Sequence, residues 1–296
     1  MAPLVHAVAG HPVDGSRSPL LLLAVAARLE EAGVEGLSLE TTDAFRIEAV
    51  DVDAAIEALA SRAETGEVER MRLLVQARLR QAPKPPAAHP PRFMGAHGRW
   101  LSLTSPLKHH LGPWRCTDGA QGLRSVNALR IDEHGIHSAG TDGAGVVSVA
   151  RLVGCPPDGG AVLRMRGGGG AARSTAHAWV HAGGRLHLLD GRRALAPRPD
   201  PANLVGAEVP AVFGIDFDGG AEDLGAAKHL TPRYQGEAVR HEGALSGDVL
   251  DGRWMLVAQH LEAWRSLWAP ELCDVLPSIS ELMADLLAVE AMMGEA

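Results

Sequence analysis

The chain has 296 residues, about twice the length of a typical domain and long enough to bury a sizeable core. Apolar residues make up 46% and charged residues 22% of it, which is a globular composition and excludes a disordered chain. The formal net charge of −8 argues against a protein that coats DNA through its overall charge.

The cysteines and the apolar runs indicate the compartment. Cys116, Cys155 and Cys273 are far apart and form no Cys-x-x-Cys motif, so neither a disulfide framework nor a cysteine zinc site is predicted. The leucine-rich stretch 19–27 is too short to span a membrane, and Ser18 before a proline is typical of a helix start. We therefore expect a cytoplasmic, bacterial protein with no membrane association.

Residues 1–82 predict a small α/β domain. Apolar runs and helix signals alternate along it, with strands at 4–9, 37–40 and 45–50 and helices at 19–32 and 53–64. Residues 71–79 fit either a strand or a third helix. With a strand there, the order is βαββαβ, a ferredoxin-like arrangement.

A proline-rich segment, residues 83–98, follows this domain. Its five prolines remove backbone donors and break helices, so the segment predicts a stiff, extended linker and a domain boundary.

Residues 99–296 predict a β-rich domain with a C-terminal helical extension, which makes the chain α+β overall. Glycine-punctuated runs favour an antiparallel sandwich or a partly open barrel, with strands at 100–103, 125–131, 146–153, 162–165, 175–182, 186–189 and 209–217. Apolar spacing predicts a helix over 253–268. Ser278 and Glu281 form a capping box that opens a last helix.

The sign of the charge changes along the chain. Residues 1–82 carry a net charge of −5, residues 83–200 carry +8 and residues 201–296 carry −11. Either the acidic ends neutralise the basic middle within the molecule, or the basic middle faces an anionic partner such as RNA, DNA or an acidic protein surface.

The glycine run 167–170 lies among Arg164, Arg166 and Arg173. Glycine lets backbone N–H groups approach phosphates, and arginines can clamp them, so these three arginines are candidate binding residues. No GxGxxG or GxxxxGK[ST] motif is present, so we predict a disordered loop and no nucleotide-binding fold. The basic domain, its glycine-rich loop and a split βαβ unit resemble in outline the repeat-associated RNA-binding proteins of CRISPR complexes.

Gly183 and Gly184 predict a β-hairpin. The register counted outward from this turn sets His177 opposite Asp190, on one face with Trp179 and His181. Such a face could hold a general base with its orienting acid, or a metal corner. Alternatively, the tryptophan makes it a wall of the core.

Two carboxylates, Asp216 and Asp218, follow an apolar run and lie close to Glu222 and Asp223. A strand that ends in Asp-x-Asp-Gly resembles the nucleophile motif of haloacid-dehalogenase-type phosphatases, which implies a magnesium site. A solvated acidic turn is the alternative. Zinc is not favoured, because His177 and His181 have the spacing of HExxH without its glutamate.

Trp264 and Trp268 lie four residues apart on a predicted helix, where they form either core or an exposed anchor for a partner. Because every catalytic pattern is incomplete, we favour a non-catalytic accessory or scaffold protein that binds a macromolecular, anionic partner, most simply a protein. No cofactor is favoured. The alternative is a hydrolase or phosphatase that uses Mg or Zn, and the third hypothesis is an RNA-binding component of a ribonucleoprotein.

Overall fold

The computed structural model describes residues 4–61, 66–95, 98–110, 112–219, 224–232 and 248–294. These residues form a mixed α/β fold with two sheets and seven α-helices. The chain divides into two compact units. Unit 1 is Met1–Asp118, Val126–Ala139 and Ala263–Ala296, and unit 2 is Gly119–Ser125 and Gly140–Glu262.

Unit 1 is built on a six-stranded sheet in the order β2-β1-β3-β5-β6-β4. The strands are β1 (Leu4–Gly10), β2 (Thr42–Glu48), β3 (Arg99–Leu103), β4 (Arg115–Cys116), β5 (Ala128–Asp132) and β6 (Gly135–Ala139). Strand β1 runs parallel to β2 and β3, β4 runs parallel to β6, and β5 is antiparallel to β3 and β6. The helices of this unit are α1 (Ser18–Glu31), α2 (Val52–Ala60), α3 (Gly66–Gln81) and α7 (Ile279–Gly294).

A buried charge cluster ties three of these helices together. Arg28 of α1 donates two hydrogen bonds of 2.8 Å to the carboxylate of Asp285 in α7. Arg78 of α3 donates to the same carboxylate at 2.9 Å. Since the Asp285 side chain is only 1% exposed, its charge is compensated by these two guanidinium groups rather than by water. The predicted capping box at the start of α7 is confirmed, with reciprocal bonds between Ser278 and Glu281.

A tryptophan cluster fills the core of unit 1. Trp100 of β3 stacks on Trp268 with ring centroids 5.2 Å apart and meets Trp264 edge-on at 4.8 Å. Trp264 and Trp268 lie in a π-helical turn, and both are buried. The interpretation of these two residues as a partner anchor is therefore wrong, because their apolar area is already covered by the protein's own core.

Unit 2 contains a five-stranded sheet in which every strand pair is parallel. Its order is β11-β10-β9-β7-β8, with β7 (Val162–Arg166), β8 (Arg185–Leu189), β9 (Ala211–Asp216), β10 (Ala226–Leu230) and β11 (Val249–Leu250). The described helices are α4 (Asp142–Leu152), α5 (Gly170–His181) and α6 (Gly252–Ala263). Strand β7, helix α5 and strand β8 form a βαβ crossover, as parallel neighbours require.

The predicted antiparallel domain is wrong. Residues 146–153 and 175–182, both predicted as strands, lie in or at the end of α4 and α5, where β-branched and apolar residues line buried helix faces. The predicted hairpin at Gly183–Gly184 is the end of α5. Gly183 adopts φ +93°, and the Gly184 N–H donates to the carbonyl of Trp179. A left-handed glycine serves a helix C-terminus as well as a hairpin, so the dipeptide alone does not distinguish them.

The ferredoxin-like arrangement and the linker are wrong as well. Residues 71–79 belong to α3, and 37–40 form no strand. The proline-rich segment lies inside unit 1, since Ala87 and Phe93 donate backbone bonds to the carbonyls of Ala32 and Glu35. Non-proline residues between and after the prolines supply these donors, and β3 then joins the sheet of β1. None of the described helices is long and apolar enough to cross a membrane.

Candidate functional site

The carboxyl edge of the unit 2 sheet has the topology of a ligand site. From β7 the chain crosses through α5 to β8 on one side, and β9 then pairs with the other side of β7. Open parallel sheets bind ligands outside the carboxyl ends of their strands, where the strand order reverses. The ends of β7, β8 and β9 are therefore the first place to expect a ligand.

The loop from β7 into α5 is built from glycine for steric reasons. Gly167 adopts φ +112°, and a Cβ there would come 2.9 Å from the Cβ of Phe217. At Gly168 a Cβ would lie 2.3 Å from the carbonyl oxygen of Ala194. At Gly169, the N-cap residue of α5, the Cβ position is open, with no other atom within 4 Å. The N-cap position of α5 thus borders open space and no side chain caps the helix, which is the arrangement that binds phosphates.

The six residues from Gly167 to Ala172 have the pattern GxGxxA between a strand and a helix. Dinucleotide-binding loops accept alanine as well as glycine at the last position, where a small residue lets the helix pack on the sheet. Ala172 is fully buried and meets this requirement. Our prediction of a disordered loop is wrong. The alanine variant of the motif was the sequence signal that would have identified the fold.

The three candidate binding arginines all find acceptors inside unit 2. Arg164 donates to the carbonyls of Leu224 and Gly225 at 2.9 and 3.0 Å. Arg166 pairs with Asp216 at 3.2 Å. Arg173 donates to the carbonyl of Gly168 at 2.7 Å, and its burial lowers the pKa of the guanidinium. These side chains hold loops in place, so they do not support a cationic surface for an anionic partner.

Asp216 and Asp218 also hold turns. Asp216 accepts from the backbone N–H of Asp218 at 2.8 Å and of Gly219 at 3.2 Å. Asp218 accepts from the backbone N–H of Arg192 at 2.6 Å. Within the parts of the chain that are described, no three His, Cys, Asp or Glu residues are placed to hold a metal ion. Glu222 and Asp223 lie outside the described residues.

The predicted His–Asp face does not form. His177 and His181 lie on helix α5 with stacked rings 6.1 Å apart, rather than on a strand opposite Asp190. Trp179 is fully buried, and its indole N–H donates to the carbonyl of Ala161 at 3.0 Å. Asp190 instead follows β8 directly and is exposed. The turn at Gly183 decided this outcome, because a crossover helix replaces the first strand of the hairpin.

A cavity of about 240 Å³ opens beside the glycine loop at the ends of β7 and β8. Its lining includes Gly167, Leu188, Asp190, Arg193 and Arg198. Asp190 therefore does lie at a candidate site, but beside the glycine loop and not opposite His177 as we predicted.

A second buried carboxylate of unit 2 lies at the start of α4. Asp142 is fully buried in the first helical turn. Its neighbour Gly143 donates to the hydroxyl of Ser174 at 2.9 Å, and a Cβ on Gly143 would lie 2.1 Å from the carbonyl oxygen of Ser174. Burying a carboxylate is costly, so we count Asp142 as a functional candidate that the sequence analysis missed.

Unit 1 has a carboxyl edge of its own, where parallel β1 and β3 end together. His11 donates its backbone N–H to the carbonyl of Ser105 at 2.8 Å, and a Cβ on Gly10 would lie 2.2 Å from Cγ2 of Thr104. The loops that leave these strands are thus closely packed. A 3₁₀ turn after β3 carries Lys108, which is half-buried.

The loops that leave β1 and β3 also carry hydroxyl groups, on Ser16 and Thr104. The loop after β1 is anchored where Arg46 donates twice to the carbonyl of Ser16, and the Ser16 hydroxyl accepts from the N–H of Ser18 at 3.3 Å. Together with Thr104, these groups suit a small, hydroxylated anion. Lys108 was overlooked, although a lysine in a chain with only three of them is a usable signal.

No protein-family model matches the chain, and no curated protein matches its sequence. Solved structures do match. The shikimate 5-dehydrogenase of Thermus thermophilus in complex with shikimate is 22% identical over 98% of this chain and 99% of its own, with a TM-score of 0.59. The complex of the same enzyme with NADP(H) and shikimate is 24% identical over 97% of this chain and 99% of its own, with a TM-score of 0.58. The Mycobacterium tuberculosis shikimate dehydrogenase gives 18% identity, 97% and 100% coverage and a TM-score of 0.59.

These similarities establish the fold and correct our functional expectation. A fold shared with crystallised dehydrogenases over nearly the whole chain overturns the interpretation as a non-catalytic accessory or scaffold protein. The RNA-binding alternative loses its support because the three arginines are engaged within unit 2. The hydrolase alternative loses its support because Asp216 and Asp218 hold turns and the His177–Asp190 pair does not form.

Proposed function

We propose that the protein is an oxidoreductase that uses a nicotinamide dinucleotide and acts on a small hydroxylated carboxylic acid of the shikimate type. The observation that carries this proposal is the glycine-rich stretch 167–172, which runs from the end of β7 into the first turn of α5 at the point where the strand order of a parallel sheet reverses. The similar crystallised dehydrogenases, one of them in complex with NADP(H) and shikimate, support it.

The residues of unit 2 fit the coenzyme. The open N-terminus of α5 at Gly169 suits the pyrophosphate, because backbone N–H groups and the helix dipole attract anions. The cavity beside Asp190 suits the adenosine ribose, which binds at the end of the second strand in such folds. When bound, the coenzyme would supply hydride transfer.

Unit 1 offers groups for the acid substrate. Oxidation of a secondary alcohol needs a base that takes the hydroxyl proton, and reduction of the ketone needs an acid that returns it. We assign this role to Lys108, whose amine can both donate and accept a proton. Ser16 and Thr104 offer hydroxyl groups that can orient a polyhydroxylated ring. Asp142 of unit 2 is retained as a further candidate for the chemistry.

The Gly169→Asp variant tests the coenzyme site without unfolding it. Aspartate is a favoured N-cap residue, so we expect the melting temperature to stay the same or rise. Its carboxylate would bond the first N–H groups of α5 and repel the pyrophosphate, and we expect affinity for NAD⁺ and NADP⁺ to fall by about 100-fold, the effect of losing about two charge-assisted bonds. Isothermal titration calorimetry measures the affinity.

Gly169→Ser is the matched control, because it caps the helix without a charge and should lose less affinity. A shikimate-dependent rise in reduced nicotinamide absorbance completes the test. Wild-type protein that binds neither coenzyme would refute the proposal.

We also propose a cytoplasmic location, since the three cysteines are unpaired and suit a reducing compartment.

A further inference from the structure

We propose that Asp190 makes the chain select NAD over NADP. This inference rests on the proposed function, and it differs from the NADP(H) of the similar Thermus thermophilus complex.

The first argument is the position of Asp190 in the sheet. Arg166 and Leu189, the last residues of β7 and β8, are register partners, so Gly167 and Asp190 leave the sheet side by side. In dinucleotide-binding folds an acidic residue at the end of the second strand, about 20 residues after the glycine loop, accepts a hydrogen bond from the adenosine 2′-hydroxyl. Asp190 is exposed, lines the cavity and has this spacing from Gly170.

The second argument is that the turn after Asp190 is held in place. The Asp218 carboxylate accepts from the backbone N–H of Arg192 at 2.6 Å, and the Asp218 carbonyl accepts from the Arg192 guanidinium at 3.0 Å. A Cβ on Gly191 would lie 2.6 Å from Asp218 Oδ2 and 3.0 Å from the backbone nitrogen of Gly167. The turn therefore packs tightly between the glycine loop and the end of β9, which keeps Asp190 beside the loop.

The third argument concerns the arginines of the same loop. A 2′-phosphate beside the Asp190 carboxylate would bring two negative groups together, which opposes NADP. Arg192 is already engaged by Asp218, but Arg193 and Arg198 are exposed and line the cavity. Arginine is the side chain that accommodates a 2′-phosphate. Asp190 is thus the residue that makes the site favour NAD over NADP, and removal of its charge should allow NADP to bind more tightly.

Calorimetric titration with NAD⁺ and NADP⁺ tests this inference on the full chain. We expect the wild type to bind NAD⁺ at least about tenfold more tightly than NADP⁺, and Asp190→Ser to lose about tenfold in NAD⁺ affinity while it gains affinity for NADP⁺. Asp190→Ser combined with Arg193→Ala should lose that gain. The control is Asp158→Asn, which removes the same charge from unit 2 at the opposite end of β7 and should behave like the wild type.

The outcomes separate the two proposals. A wild type that prefers NADP⁺, or an Asp190→Ser variant with an unchanged ratio of affinities, overturns the role of Asp190 while the proposed function stands. A wild type with the far-ultraviolet circular dichroism of a folded protein that binds neither coenzyme overturns the proposed function and this inference with it.

Discussion

The carboxyl edges of the two sheets are built in different ways. In unit 2 the edge exposes backbone, because Gly167, Gly168 and Gly169 place no side chain in front of the N–H groups of α5. In unit 1 the edge carries side chains to which we assign the proposed chemistry, Lys108 among them. Backbone suffices for a pyrophosphate, which is the same in every coenzyme, whereas a particular acid requires particular side chains. A search for reactive residues therefore overlooks the first kind of site.

The buried Arg28 of unit 1 and the half-buried Arg164 and Arg173 of unit 2 have different kinds of hydrogen-bond partner. In unit 1 the Arg28 guanidinium is paired with the carboxylate of Asp285, and this contact raises the pKa of the arginine. In unit 2 Arg164 and Arg173 donate to backbone carbonyls. A basic stretch of sequence can thus be consumed by the fold without forming a cationic surface.

Substitution of Lys108 should lower turnover more than any other change proposed here affects the protein. An unchanged turnover would contradict the difference between the two sheet edges. Loss of a general acid–base group lowers turnover by about 10²- to 10⁴-fold, so we expect this fall in kcat for Lys108→Met with shikimate. Coenzyme affinity, measured by calorimetry, should not change, because it depends on the glycine loop of unit 2.

Lys108→Arg separates charge from proton transfer. Arginine keeps the charge but cannot lose its proton, so kcat should stay low while KM for the acid is retained. Wild-type turnover in either variant would show that the edge of unit 1 is not where the chemistry occurs.

Substitution of Asp285 tests how much the carboxylate partner of Arg28 contributes to stability. Asp285→Asn removes the buried counter-charge that Arg28 and Arg78 share and leaves Arg28 with only the half-buried Glu31, so we expect the free energy of unfolding to fall by about 3–5 kcal/mol. Urea unfolding followed by circular dichroism measures it. Glu290→Gln, which removes the partner of the half-exposed Arg17, is the control and should cost less than about 1 kcal/mol. Equal losses for both would mean that burial of the ion pair is unimportant.

His260 of α6 should make a smaller contribution, to the pH dependence of the free energy of unfolding, because this buried residue stays neutral in the folded chain. Burial lowers the pKa of His260 from 6.5 to about 3. As the pH falls from 6.5 towards 3, the unfolded chain takes up a proton that the folded chain refuses, so stability is lost. The slope from this residue is at most about 1.4 kcal/mol per pH unit.

His260→Leu should lack this slope, so its free energy of unfolding should depend less on pH than that of the wild type. Urea titrations at about pH 7 and about pH 5, above and below the ordinary histidine pKa, provide the measurement. Identical slopes in the two proteins would indicate that His260 is protonated in the folded state.

Features that depend on near neighbours along the chain could be predicted before the fold was known. Helix α1 begins at the predicted Ser18–Pro19 pair, although its N-cap residue is Arg17 and not Ser18, and no side chain caps it. The capping box of Ser278 and Glu281 and the strand runs of β7, β8 and β9 rest on hydrogen bonds or side-chain patterns within a few residues. The glycine loop was located correctly as well, although its role was not identified.

The pairing of these elements, and the side chains that come into contact, could be identified only once the strand order of the fold was known. Residues 175–181 are helical because the crossover between parallel β7 and β8 must cover the sheet, and residues 146–152 belong to α4, which packs against α5. The local apolar patterns of both segments fit a strand equally well. Gly167, Asp190 and Asp218 are far apart in sequence and come together because β7, β8 and β9 end at one edge. Local sequence does not encode such contacts, because they depend on which strand lies beside which.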